Sequence, residues 1–128
     1  MSLLVPVSWG ELIDKITILE IKAERITDPA KLVNVRRELG ALVAVRDAGG
    51  GVPAGLAPVV ADLKAVNETL WEVEDDIRDC ERNKDFGTRF VELARAVYVT
   101  NDRRAQLKRV LNDGLGSELV EEKSYQAY

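Results

Sequence analysis

The chain has 128 residues, 46% of them hydrophobic and 31% charged, with a formal net charge of -4, which suits one soluble domain with a modest core. That acidic balance argues against general nucleic-acid binding, which needs a net basic face towards phosphate. There is no histidine, and Cys80 is the single cysteine. Imidazole catalysis, histidine-ligated zinc and a disulfide within the chain are therefore excluded. Any acid–base chemistry falls to a carboxylate, a lysine, a tyrosine or the thiol.

The opening segment Met1–Val7 lacks a basic n-region, and no apolar run approaches the length that crosses a bilayer. A cytoplasmic protein is expected. Residues 3–7 read as an extended arm, because Pro6 has no N–H and biases Val5 away from helix. Ser8 with Glu11 three residues on forms a capping box, which opens the first helix. Its seam is Leu12, Ile16, Leu19, Ala23 and Ile26, a heptad spacing. Ile13, Ile18 and Ile21 fall off that seam, so this helix is expected to be central or to be shared with a second copy in a homo-oligomer.

Thr27-Asp28-Pro29 closes the first helix and opens the second, with Asp28 as N-cap and Pro29 in the first turn. Leu32, Val35, Leu39, Leu42 and Val45 give the second helix its apolar face, ending near Ala48. Gly49–Gly55 is a linker rich in glycine, separating two hairpins rather than two domains. The third helix runs on Val59, Leu63, Val66, Leu70, Val73, Ile77 and Cys80. Phe86-Gly87-Thr88 is the next break, with Thr88 as a candidate cap. The fourth helix uses Leu93, Val97, Leu107 and Leu111 and stops at Gly114 and Gly116. The tail has room for one more short helical turn. The expected fold is an all-α antiparallel four-helix bundle made of hairpins 8–48 and 56–113, joined by linker 49–55, with tail 114–128.

A polar stripe runs beside the apolar seam of the third and fourth helices. Asn67, Trp71, Glu74 and Arg78 share one face of the third; Tyr98, Asn101, Ala105 and Lys108 share one face of the fourth. A short hairpin connection places residues opposite one another when their numbers sum to roughly 171. Asn67 then meets Arg104, Trp71 meets Asn101, and Glu74 meets Tyr98. One reading is a pocket with aromatic walls, amide hydrogen-bonders, and Arg104 or Lys108 holding a small anionic ligand. The other is that these groups satisfy one another and fix register, with Glu74–Arg78 an ordinary i, i+4 pair.

From Glu72 to Asp85 the third helix carries seven acidic side chains. Glu72-x-x-Asp75 and Glu11-x-x-Asp14 resemble the paired carboxylates of MazG-type all-α nucleotide pyrophosphatases. That likeness implies Mg²⁺ held by Glu11, Asp14, Glu72 and Asp75, and a phosphohydrolase acting on a nucleotide or nucleotide sugar. The first pair is sparser than that family's E-E-x-x-E, and the interval between the pairs is longer. A solvated acidic face is the alternative.

Four further strings cover nearly the whole length: Gly10-Glu11-Leu12-Ile13-Asp14-Lys15-Ile16-Thr17-Ile18-Leu19-Glu20-Ile21-Lys22, Leu70-Trp71-Glu72 with Glu74-Asp75, Asn101-Asp102-Arg103-Arg104-Ala105, and Gly116-Ser117-Glu118-Leu119-Val120-Glu121-Glu122-Lys123-Ser124-Tyr125. Through them the chain resembles a small bacterial all-helical family of unknown function. The resemblance implies a role near glycosyltransferases or surface-polysaccharide metabolism. The expectation is a non-catalytic binding or interaction module, with the Mg²⁺-dependent phosphohydrolase as the alternative. Nucleic acid and membrane are not expected partners. The tail is placed to fold back and close the polar stripe through Glu122 or Lys123.

Overall fold

The computed structural model describes residues 1–128 and contains four α-helices and no strand. They are α1 (Trp9–Arg25), α2 (Pro29–Ala48), α3 (Ala57–Arg82, entered through a 3-10 turn at Ala54–Leu56) and α4 (Thr88–Gly114). The expected bundle of two hairpins is what forms.

Local chemistry sets most of the boundaries. Ser8 is extended, and its Oγ accepts the Glu11 N–H at 3.1 Å. Only this half of the capping box is made, because the Glu11 carboxylate is drawn to Lys108 instead. Asp28 Oδ1 accepts the Ala30 N–H at 2.9 Å, ahead of Pro29 in the first turn of α2. The α3–α4 connection needs a left-handed residue, supplied by Lys84 at φ 54°. The cap of α4 differs from expectation: Thr88 lies inside the helix, and Asp85 Oδ1 accepts the Gly87 N–H just before it. No helical turn forms after Gly116, and the tail runs on without regular structure.

The arrangement is centred on α1, which packs against α2, α3 and α4, while α2 packs chiefly on α1. Leu12, Ile13 and Ile16 meet Leu63 of α3 and Leu107 and Leu111 of α4 in the core, with Leu39, Leu42 and Val43 of α2 against its edge. Ile13 and Ile21 are buried by this one chain, and Ile18 is half-buried. The apolar excess that motivated a second copy along the first helix is thus absorbed by α2, α3 and α4. Where α1 enters the bundle it presses on α4. A Cβ at Gly10 would sit 2.5 Å from the Lys108 carbonyl oxygen, and the Gly10 N–H donates to Asn112 Oδ1 at 2.7 Å. Glycine is the residue that permits this approach. No helix is long and apolar enough to cross a membrane.

Candidate functional site

Asp14 stands in the middle of the apolar run of α1 and is 1% exposed. Burying a carboxylate is costly unless its oxygens are fully hydrogen-bonded and its charge is opposed. Both conditions are met from two other helices. Arg104 of α4 grips it bidentately, Nε to Oδ1 at 2.9 Å and Nη2 to Oδ2 at 2.5 Å. Asn67 of α3 donates from Nδ2 to Asp14 Oδ1 and to Thr17 Oγ1, each at 3.0 Å. The Thr17 hydroxyl in turn donates to the Asp14 carbonyl at 2.8 Å. Burial alone would raise the Asp14 pKa, but the hydrogen bonds from Arg104 and Asn67 and the nearby cations outweigh it and hold it below the ordinary carboxylate value. The bond to Asp14 likewise raises Arg104, against the effect of burial.

Two members of this node, Asn67 and Arg104, line a cleft of about 360 Å³ between α1, α3 and α4. Asn67, Trp71, Glu74 and Arg78 line it from α3, together with Asp75 and Leu70; Arg104 enters from α4, and Ile18 and Ile21 come from α1. The α3 stripe and Arg104 are therefore gathered on one cavity, and Asn67 and Arg104 meet on Asp14 as the hairpin register requires. Arg25 stands 6.0 Å from the centre of the Trp71 ring. Glu74 and Arg78 pair at 3.2 Å on the exposed rim.

The rest of the α4 stripe lies on the other side of Arg104. Asn101 Oδ1 accepts weakly from Arg104 Nη1 at 3.4 Å, and both line a smaller cavity, of about 230 Å³, with Glu11, Lys108 and the tail residues Glu121 and Lys123. Tyr98 is not a wall of the Trp71 cleft: its ring packs edge-on against Tyr128 at 5.1 Å. Arg104 is thus a partition between two cavities rather than a free clamp within one.

The two carboxylate pairs are separated by their cations. Glu11 is bound by Lys108 and Asp14 by Arg104, while Glu72 faces Arg25 at 3.5 Å. Asp75 lines the Trp71 cleft. No group of three or more metal-ligating side chains is assembled anywhere in the structure. The acidic run of α3 is largely countered by arginines: Asp76 by Arg89 at 3.6 Å, Asp79 by Arg82, Glu74 by Arg78.

Sequence reasoning missed Thr17 and the anchoring role of Asp14. The available signal was an acid flanked by Leu12, Ile13 and Ile16, a position that water does not reach. It also missed a larger cavity, about 420 Å³ between α1, the end of α2, the glycine linker and the start of α3. The polar groups there are few, and two of them, Arg46 and Asp47, pair with each other at 3.1 Å. Convergent polar groups around an aromatic wall favour the smaller Trp71 cleft as the ligand site.

No curated protein and no solved structure matches this chain. Residues 3–128 match the family described as "Family of unknown function (DUF6165)", and with almost the whole length covered the chain belongs to that family.

Proposed function

We propose that the protein is a non-catalytic binding module whose ligand is a small polyhydroxylated ring, of the sugar class, held in the Trp71 cleft. The observation that carries this is the composition of the lining: an indole and apolar residues, an amide, and two carboxylates against two guanidiniums. Most of its charges are paired, Glu74 with Arg78 and Arg104 with Asp14, and Asp75 is the one carboxylate of the lining in no ion pair. The lining supplies hydrogen-bond donors and acceptors in number, as hydroxyl groups require, without a free cation to hold an anion. Arg104 is already neutralised by Asp14, which argues against an anion clamp inside this cleft. Asp14 is also a poor general base, because both of its oxygens already accept hydrogen bonds and its pKa is held below the ordinary carboxylate value. A sugar ligand agrees with the bacterial surface-polysaccharide role implied by the resemblance. Assignment to the cytoplasm rests on Cys80, a free and buried thiol.

The test uses Trp9→Phe protein, leaving Trp71 as the only indole, titrated with neutral mono- and disaccharides and with nucleotide sugars, each with and without Mg²⁺. Saturable change in Trp71 fluorescence with a matching rise in melting temperature is expected for a neutral sugar, independent of the metal. Binding that requires Mg²⁺, with release of phosphate, would instead establish the phosphohydrolase. No saturable signal from any sugar overturns the proposal.

A further inference from the structure

The tail crosses back over the smaller cavity in an unusual way. Its last backbone–backbone hydrogen bond is Ser117 N–H to the Asn112 carbonyl at 2.8 Å, and residues 118–128 are all exposed. What holds it beyond that point is side-chain chemistry. Glu121 reaches Lys108 at 2.6 Å, Glu122 reaches Arg109 at 3.2 Å, and the Tyr128 hydroxyl donates to Asp102 at 2.8 Å. Exposed pairs of this kind contribute little and exchange readily with solvent ions.

Lys108 is different from the other tail partners, because its side chain is only 9% exposed. Burial alone would lower its pKa, yet the hydrogen bonds to Glu11 and Glu121 raise it, so it is charged at any ordinary pH. An ammonium has three N–H donors. Glu11 takes one at 2.8 Å from the bundle, and Glu121 takes a second from the tail. Around the same cavity stand Lys123, the Asn101 amide and the Arg104 guanidinium. Glu121 is thus an oxyanion held by Lys108 at the edge of a cavity that also carries Lys123, Asn101, Arg104 and Glu11. It is supplied by a weakly fixed segment of the chain.

We infer that this cavity is a binding site for the phosphate group of a small phosphate monoester, and that Glu121 is its resident substitute, displaced when the phosphate enters between Lys108 and Lys123. Lysine suits this task as a point charge that need not match a planar fork. The tail is then both gate and wall: Glu121 leaves Lys108, while Lys123 remains to meet the incoming group. The inference concerns the opposite side of Arg104 from the Trp71 cleft and does not depend on what that cleft binds.

The test is calorimetric titration of the full chain with inorganic phosphate, and in parallel with a sugar 1-phosphate, at constant ionic strength. Removing an internal competitor raises apparent affinity. Glu121→Gln is expected to bind inorganic phosphate about tenfold more tightly than the unaltered protein. Glu122→Gln, equal in net charge, should leave the affinity unchanged. Adding Lys123→Gln to the Glu121→Gln protein, an exposed change that spares the core, should abolish the gain. Equal tightening by Glu121→Gln and Glu122→Gln would show a general charge effect and overturn the inference. So would a Glu121→Gln protein that binds phosphate no better. Neutral-sugar binding at Trp71 should be the same in all of these variants, so the two sites fail separately.

Discussion

The same chemical pair, a carboxylate with a lysine or arginine, occurs in two regions with opposite consequences. Where Arg104 lines the Trp71 cleft it is joined bidentately to Asp14, the acid being 1% exposed. Along the tail, Arg109 and Glu122 meet at 3.2 Å with both partners largely in water. In the first region the acid cannot be left alone, because water cannot replace its partner. In the second, water and salt replace it at little cost. The bundle therefore uses buried ions to fix one site and exposed ions to keep another adjustable.

The sharpest way to break this contrast is at Asp14. Asp14→Asn leaves the Arg104 guanidinium half enclosed without a counter-charge and should cost about 3 kcal/mol of unfolding free energy in urea melts. The sign with pH follows from the depressed pKa. The Asp14 contribution is fully present above its ordinary value of 3.8 and is lost as pH falls through the lower folded value. The unaltered protein should lose stability over that acid range, and Asp14→Asn should lose less of it. A variant equally sensitive to acid would place the ionisation elsewhere.

Gly10→Ala comes next. A methyl group 2.5 Å from a backbone oxygen must push α1 off α4, for roughly 2 kcal/mol by thermal melts. Because Glu11 and Asp14 follow on α1, the same change should weaken ligand binding on both sides of Arg104. Asn67→Ala should cost about 1 kcal/mol, since it takes one hydrogen bond from Asp14 and one from Thr17. Smallest of all is Arg78→Gln on the exposed rim, where the pair with Glu74 is expected to contribute below about 0.5 kcal/mol. If Arg78→Gln proved as costly as Asn67→Ala, exposure would not be the variable separating the two regions.

How much of this was legible beforehand varies by element. Ser8, Asp28 and Pro29 announced the starts of α1 and α2, because caps act within a single turn. The apolar excess of α1 announced its central place. The hairpin register put Asn67 and Arg104 at one level, and five members of the expected pocket do share a cleft: Asn67, Trp71, Glu74, Arg78 and Arg104. What a two-helix register leaves out is the third helix, whose crossing depends on packing over the whole domain. Hence Asp14 looked like a metal-ligand candidate rather than the counter-ion of Arg104. Hence also Arg104 looked free for a ligand, and Tyr98 looked like a pocket wall instead of the seat of Tyr128. The return of the tail was anticipated through Glu122 or Lys123; Lys123 does line the cavity beside Asn101 and Lys108, and Glu121, which was not singled out, is the residue that pairs with Lys108.

Asp14 and Arg104 lie 90 positions apart along the chain, whereas α3 and α4 are neighbours joined by a tight turn. Closing short loops is fast and closing long ones is slow, so the α1–α2 and α3–α4 hairpins should each form before they dock on one another. On that view the barrier to refolding is the docking step, and the bidentate pair, which needs the helices already seated, closes after it. Stopped-flow measurements on Asp14→Asn should then show the lost free energy almost wholly as faster unfolding, with the refolding rate nearly unchanged.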